Sequence, residues 1–569
     1  MRVLVIKNKI LLLGLLLLSV LVGNAFVFEP QAAYASTAAQ WAPASSPEPS
    51  DSHGGNLAHV VCLSATSCHA VGVNFDLSNV EHSLMQKYNG TAWSVVASQD
   101  PVGSGQVTLN NLDCISATFC QAVGSYRDGG MAEHALIYAY NGTAWSVATI
   151  SEPVGSNSVT LGGVDCSSTT FCQAVGSYRD SGNVLHTLIY AYNGSTWSVV
   201  ASSDPAGAAY SGLKKVACVS TTFCQAVGYY GDSGNNAHTQ IQSYNGTAWS
   251  VATSSDPTND SINSSLEDIN CASATSCQAV GYYRAPDASW HTITKTYNGT
   301  VWNLATVTGP GSPDSGILTH IDCVSASFCQ AVGSYYLSSV QKPLVHTYNG
   351  TTWSTTAIPD PSDFVNGFLN GVSCISTTAC HIVGTYQDTN SDQRALIQSY
   401  DGTDWSIASG VDPVGTNFAL LLDVDCASAT FCQAVGVYRG SNVFASPLIE
   451  MYALIDAGGG SGSGSGSLSP ITNSVLSTST STSRSTSYSG DDETASLLAT
   501  AAEPTDGSSA ADKDTTHSSQ DKPTNTADTV TAQPPYNWWW VVIIIGVILV
   551  LVAIGFKAYK YLVNKHRDI

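Results

Sequence analysis

Sixteen cysteines pose the first chemical question. They fall into eight C-x5-C pairs: Cys62/Cys68, Cys114/Cys120, Cys166/Cys172, Cys218/Cys224, Cys271/Cys277, Cys323/Cys329, Cys374/Cys380 and Cys426/Cys432. A six-residue separation across a tight turn puts both thiols on adjacent strands, where a disulfide closes. Each such short loop contributes roughly 2 kcal/mol in the loop-entropy picture. A structural zinc needs three or four ligands at one site. No His or second Cys pair stands at suitable local spacing, so neither a metal nor any other cofactor is expected. No cysteine is left over as a free nucleophile, and the even, regular set points to an oxidising compartment.

A second group of reactive side chains keeps the same period. Seven residues before the Asn or Asp of a turn stand His82, His134, His186, His238 and His291, with Lys342 and Arg394 in the same slot of the sixth and seventh units. Tyr126, Tyr178, Tyr230, Tyr283, Tyr335, Tyr386 and Tyr438 follow a glycine by two residues, and Arg127, Arg179, Arg284 and Arg439 follow it by three. A slot used once per unit forms a ring about an axis. Aromatic and cationic groups at loop ends suit recognition of glycans or acidic groups. The competing reading is structural: these residues end strands and pack neighbouring units. Asp113, Asp165, Asp322 and Asp425 precede the first cysteine in four units, where they could hold a cation or, more simply, accept backbone hydrogen bonds. An enzyme needs acids or a base confined to one or two units. The units are alike, so no catalytic set is assigned.

The elements that must position these residues follow from the repeat. Successive first cysteines lie 52, 52, 52, 53, 52, 51 and 52 residues apart, a period of propeller-type arrays. Each unit reads as four strands. The first ends at the first cysteine, and the second is F-C-Q-A-V-G, as in Phe119 to Gly124. The third runs into Tyr-Asn-Gly, and the fourth starts at Trp. Asn-Gly between strands is a strong hairpin signal because both positions tolerate positive φ. The turns also make N-x-S/T sequons at Asn89, Asn141, Asn193, Asn245, Asn298 and Asn349. Tyr88, Tyr140, Tyr192, Tyr244, Tyr297, Tyr348 and Tyr400 each precede a Trp by five residues, but Tyr452 does not. Trp41 lies 52 residues before Trp93, so the N-terminal strand is expected to complete the last unit and close the ring.

The order V-G, Tyr-Asn-Gly, Trp resembles the kelch repeat of β-propellers. The likeness covers about 415 residues, with one Gly where kelch usually has two, Asn in place of Asp except at Asp401, and the cysteine pair as an addition. The unit is also similar to the C-x-A-V-G … W-N-G-T-x-W repeats of bacterial secreted proteins. Both resemblances imply an all-β, eight-bladed propeller of four-stranded blades over residues 36–455. The kelch likeness also implies that the loops between strands two and three, and between four and one, share the binding face.

The ends suggest a location. Arg2, Lys7 and Lys9, the apolar run Ile10 to Val22 and Ala33-Tyr34-Ala35 have the layout of a signal peptide over residues 1–35. Residues 456–537 are rich in Gly, Ser and Thr and read as a disordered stalk. Trp538 to Phe556 is almost wholly apolar, long enough for a transmembrane helix, and the basic tail 557–569 marks the cytoplasmic side. Only 11% of the 569 residues are charged, with a net charge of -22. Seven basic and two acidic residues lie outside residues 36–535, which leaves 13 basic and 40 acidic within, a net of -27. Such a surface excludes a nucleic-acid binder. The expected function is a membrane-anchored, cell-surface recognition or adhesion module with a glycan or protein ligand on its loop face. A glycan-active enzyme and a passive surface-layer component are the alternatives.

Overall fold

The computed structural model describes residues 39–257, 263–305, 307–308, 315–408, 412–440 and 444–454. The signal segment, the stalk and the apolar stretch Trp538 to Phe556 lie outside them. No helix among the described residues is long and apolar enough to cross a membrane.

Every unit folds as a four-stranded antiparallel meander. In the second these strands are Ser104–Ser116, Phe119–Asp128, Glu133–Tyr140 and Trp145–Val147. Eight such blades are present among the described residues. The first strand runs two residues past its cysteine, to Ser116 in this blade, rather than ending on it.

The cysteines of a pair are direct cross-strand partners, and all eight pairs are bonded. The disulfides are Cys62–Cys68, Cys114–Cys120, Cys166–Cys172, Cys218–Cys224, Cys271–Cys277, Cys323–Cys329, Cys374–Cys380 and Cys426–Cys432. Each ties the first two strands of its blade.

Two recurring glycines have a geometric reason. Gly142 takes φ +97°, as the Asn-Gly turn requires. Gly124 of the Val-Gly pair lies so close to the first strand that a Cβ would meet the Thr108 carbonyl oxygen at 1.9 Å. Opposite it the first strand carries a β-bulge between Leu109 and Asn111, and the same bulge recurs in every blade.

The cores sit between blades rather than within them. Val123, Ala135 and Ile137 of the second blade share one cluster with Val159, Leu161, Leu188 and Trp197 of the third. Phe431 of the last blade stacks on Tyr88 of the first at 5.8 Å, so the two ends of the array meet. The last blade is completed by Ala39–Pro43, which pairs with Ser446–Leu454 in the register Trp41↔Tyr452. The Trp41 ring packs edge-on against His381 of the preceding blade at 5.4 Å. This is the closing strand expected from the sequence, and it covers the edge that the last blade would otherwise expose.

Candidate functional site

The second cysteine of each pair forms no part of a ligand-accessible surface. The second member of each pair, Cys68, Cys120, Cys172, Cys224, Cys277, Cys329, Cys380 and Cys432, is fully buried on the second strand. Each packs into the apolar cluster of its blade, as Cys172 does beside Leu161 and Trp197, and Cys380 beside Leu369 and Trp405. These sulfurs are structural core atoms because the second strand lies inside its blade, covered by neighbours on both sides. His381, Cys426 and Cys432 bring three donor atoms together, but both sulfurs belong to one disulfide, so neither is a thiolate ligand.

Four of the aspartates before the first cysteine fasten neighbouring blades. An Oδ2 accepts the N–H of another blade's first cysteine from Asp113 to Cys166 (2.8 Å), Asp165 to Cys218 (2.7 Å), Asp322 to Cys374 (2.7 Å) and Asp425 to Cys62 (2.7 Å). These are backbone-binding carboxylates, the simpler of the two sequence readings. Ser373 Oγ accepts the Cys426 N–H in the same way at 3.1 Å.

The bulge brings a further set of side chains to the same region. His59, Lys215, Asp268, His320 and Asp423 each follow a bulged residue, and all are buried. Burial pulls the Lys215 ammonium down toward neutrality and pushes the Asp423 carboxyl up to about 7. Burial also holds His59 and His320 well below the usual imidazole value. The approach of His59 Nδ1 to Asp423 Oδ2 at 3.5 Å is therefore dipolar rather than ionic. Sequence reasoning missed this cluster because it breaks the repeat, and only the bulge explains its inward placement.

The expected ring residues stand at the start of the third strand and the end of the second, and they meet as cross-strand partners. Tyr126 faces His134, Tyr178 His186, Tyr230 His238, Tyr283 His291, Tyr335 Lys342 and Tyr386 Arg394. In the four Tyr–His pairs the rings lie 5.1–5.2 Å apart. The first blade has Asn74 opposite His82, and the last has Ser446 opposite Tyr438. All seven tyrosines are half-buried.

Carboxylates from both flanking loops grip most of these basic side chains. One comes from the turn between strands two and three. Asp76 Oδ1 accepts the Ser78 and Val80 N–H groups, while its Oδ2 lies 3.5 Å from His82 Nε2. Asp128, Asp180 and Asp232 repeat this with His134, His186 and His238. Those backbone hydrogen bonds, first among the causes, hold the four aspartates below their ordinary range. The second carboxylate comes from the turn after strand four: Asp100 at 2.8 Å from His82, Glu152 at 3.2 Å from His134, Asp204 at 2.7 Å from His186 and Asp256 at 2.9 Å from His238. His291 instead contacts Ser289 Oγ at 2.7 Å. Lys342 pairs with Asp360, and Arg394 pairs with Asp388 (3.0 Å), Asp392 (2.8 Å) and Asp412 (3.8 Å). The Asp204 hydrogen bond leads the effects that raise His186 above its usual value.

The arginines divide. Arg127 donates to Gln106 Oε1 (3.2 Å) and Arg179 to the Asn183 carbonyl (3.2 Å). Arg284 lies over the Trp290 ring at 5.5 Å and Arg439 over Phe418 at 5.4 Å. Most blades thus carry their own unit of tyrosine, basic side chain and carboxylate, in which the basic side chain is already paired within the blade. What remains for a ligand is a row of aromatic faces in acidic surroundings.

Two clefts open beside these units. One, of about 530 Å³, lies between the first and second blades and is lined by Phe75, Gln106, Asn110 and Tyr126 with Glu81 and Glu133. The other, of about 690 Å³, surrounds Tyr386 and Arg394 with Asp363, Asp388 and Asp412. Burial, then the charges of Asp363 and Asp412, pushes the Tyr386 phenol up to about 12.

No protein-family profile and no curated protein matches the chain. Among solved structures it is similar to the BP39L lectin from Burkholderia pseudomallei (10% identity, 63% of this chain and 100% of that one, TM-score 0.40). It is also similar to YCF48 from Cyanidioschyzon merolae (11% identity, 62% and 97%, TM-score 0.37) and to the polysaccharide lyase Uly1 (13% identity, 61% and 90%, TM-score 0.37). At such scores no function transfers, and the site has to be read from its own residues.

Proposed function

We propose that the chain is a kelch-like, eight-bladed, membrane-anchored surface protein that binds glycans on the face formed by its strand two–three and four–one loops. The observation that carries this reading is the girdle of half-buried tyrosines, most of them backed by a basic side chain that two loops fix in place. A tyrosine offers a large, rigid, amphipathic surface at low entropic cost. Pre-packing it against His removes most of the freedom that binding would otherwise freeze. With the basic side chains already paired to carboxylates, aromatic faces and acidic oxygens do the recognition, which favours sugar rings over polyanions. The signal-like N-terminus, the Gly/Ser/Thr-rich stalk and the apolar stretch Trp538 to Phe556 support display of the propeller outside the cell. The test is a glycan array probed with the full-length chain in mild detergent. Binding to a restricted set of glycans, reduced when girdle tyrosines become Ala, is the expected result. No binding to any glycan overturns the proposal in favour of a passive surface component, and turnover of a bound polysaccharide replaces it with an enzyme.

A further inference from the structure

One buried slot recurs on the third strand of every blade, two residues before the tyrosine that ends the strand. In the first seven blades it holds a side chain that can donate a hydrogen bond: Gln in three, Tyr in two, Lys295 and His346 once each. Most of these reach into the segment that follows strand four of the preceding blade. Gln86 Nε2 donates to the Pro47 carbonyl at 2.8 Å, Tyr190 Oη to Ser151 at 3.1 Å, Gln242 Nε2 to Ser203 at 3.1 Å and Gln398 Nε2 to Pro359 at 2.8 Å. The slot takes a donor and uses it to fasten one blade to its neighbour.

The last blade breaks this rule at the seam, where the slot holds Glu450. Glu450 is 0% exposed, and neither carboxyl oxygen has a hydrogen-bond partner among the described residues. It stands in the middle of the closing pair, opposite Pro43 of the closing strand on one side and Ala434 on the other. Leu448, two residues earlier on the same face, packs with Ala395 and Ile397 of the seventh blade, so Glu450 faces that blade too. The titratable groups around this face are Asp412 in the turn after the seventh blade's strand four, Arg394 and His381 on that blade's strands, and Tyr438 and Tyr452 on the last blade. Arg394 is committed to Asp388, Asp392 and Asp412, and His381 packs against the Trp41 and Tyr452 rings. Burial first, and then the charge of Asp412, hold the Glu450 carboxyl well above the ordinary glutamate range.

We infer that Glu450 is a proton-dependent latch on the ring-closing seam, which stays shut while its side chain is a neutral carboxylic acid and loosens when it becomes a carboxylate. A carboxylic acid has the one donor that this slot uses elsewhere, and a carboxylate has none. Ionisation leaves an unpaired charge in a dry junction beside Asp412, and that charge is relieved only when the junction opens to water. The direction of the effect follows. The opened side chain ionises near its ordinary value of 4.5, whereas the closed one stays protonated to higher pH. The seam is therefore tightest below about pH 4.5. Above that, its closing equilibrium falls about tenfold per pH unit until the closed-state value is passed, and is constant beyond it. Gln has the same shape without the titrating proton, and three other blades already carry it in this slot.

The experiment is amide hydrogen exchange on the full-length chain in mild detergent at pH 4.5, pH 6 and pH 7.5. Exchange is read at Ser446–Leu454 and Ala39–Pro43 as protection factors, so the pH dependence of the chemical step cancels. Glu450→Gln is the test variant. Comparing it with the unmodified chain at each pH also cancels the other titrating groups, His381 and Asp412 among them. The ratio of variant to unmodified protection is expected to rise at least about tenfold between pH 4.5 and pH 7.5. At a remote strand, Glu133–Tyr140, it should stay constant. Gln242→Glu gives the reciprocal result: protection of Ala237–Tyr244 becomes pH-dependent in the same direction. A ratio at the seam that does not change with pH overturns the inference. So does a Glu450→Gln chain less protected than the unmodified one at pH 7.5, because the carboxylate then holds the seam. An equal rise at Glu133–Tyr140 overturns the assignment to the seam, and pH-independent protection in Gln242→Glu overturns the slot rule on which the inference rests.

Discussion

Replacing Trp41 by Ala tests ring closure. Trp41 is 6% exposed and sits in a cluster with Ile397, Ala419, Leu421, Val424 and Leu448, between the last two blades. A buried Trp removes about 200 Å² from water, worth about 5 kcal/mol at roughly 25 cal/mol per Å². Truncations of buried aromatics measure about 3–5 kcal/mol, and a loss in that range is expected. Trp93→Ala is the control, because Trp93 is also 6% exposed but belongs to a strand covalently continuous with its own blade. Both variants are expected to lower the urea midpoint comparably. Only Trp41→Ala should open the seam, so hydrogen exchange at Ser446–Leu454, the partner of the closing strand, should accelerate selectively. The freed edge should also promote self-association on size exclusion. A stability loss below about 0.5 kcal/mol, the range of surface substitutions, or unchanged exchange at Ser446–Leu454 would refute closure by this strand.

Other consequences can be checked by simple measurements. Asp425→Leu leaves the buried Cys62 N–H without its acceptor across the seam, so it should cost about 1–3 kcal/mol in denaturant unfolding, whereas an exposed Asp51→Leu should cost almost nothing. The imidazole of His186 is raised above its ordinary value of 6.5, so its stabilising contribution is complete below about that pH and fades as pH rises through the higher folded-state value. His186→Gln should therefore narrow the gap between melting temperatures at pH 5.5 and pH 8.5, and an unchanged gap would show that the latch is not ionic. Reduction of the eight disulfides removes roughly 2 kcal/mol per six-residue loop, so a strong reductant should lower the thermal midpoint sharply, and an unaffected midpoint would mean that the unfolded chain gains little freedom.

The sequence by itself determined the features that repeat. The period of the cysteine pairs, the four-strand unit and the partnership of Trp41 with the last blade were all legible, because each rests on local spacing and on one landmark per blade. The pairing of Cys172 with Cys166 could be read from their spacing, but its full burial beside Trp197 could not, because the covering residues come from two blades. The positions of the girdle tyrosines and their basic partners were legible for the same reason as the disulfides, since residues in register on adjacent strands must face each other. The partners of these basic side chains were not. His134 is gripped by Asp128 and Glu152 from two different loops, and nothing in the spacing says that those loops fold back together.

The tertiary structure alone decided what faces inward at the bulges and between blades. A bulge at Ala58, Asn110, Lys214 and their counterparts inserts one residue without a cross-strand partner, so strict alternation no longer predicts which neighbour points to solvent. His59, Lys215, Asp268 and Asp423 look like surface residues in the sequence and are buried in the fold. The same shift places Asn110 at the lining of the cleft between the first two blades, where Tyr126, Glu81 and Glu133 converge from separate strands. A repeat specifies its own geometry through local rules, but this junction is assembled from blades 52 residues apart in the chain and exists only when they pack.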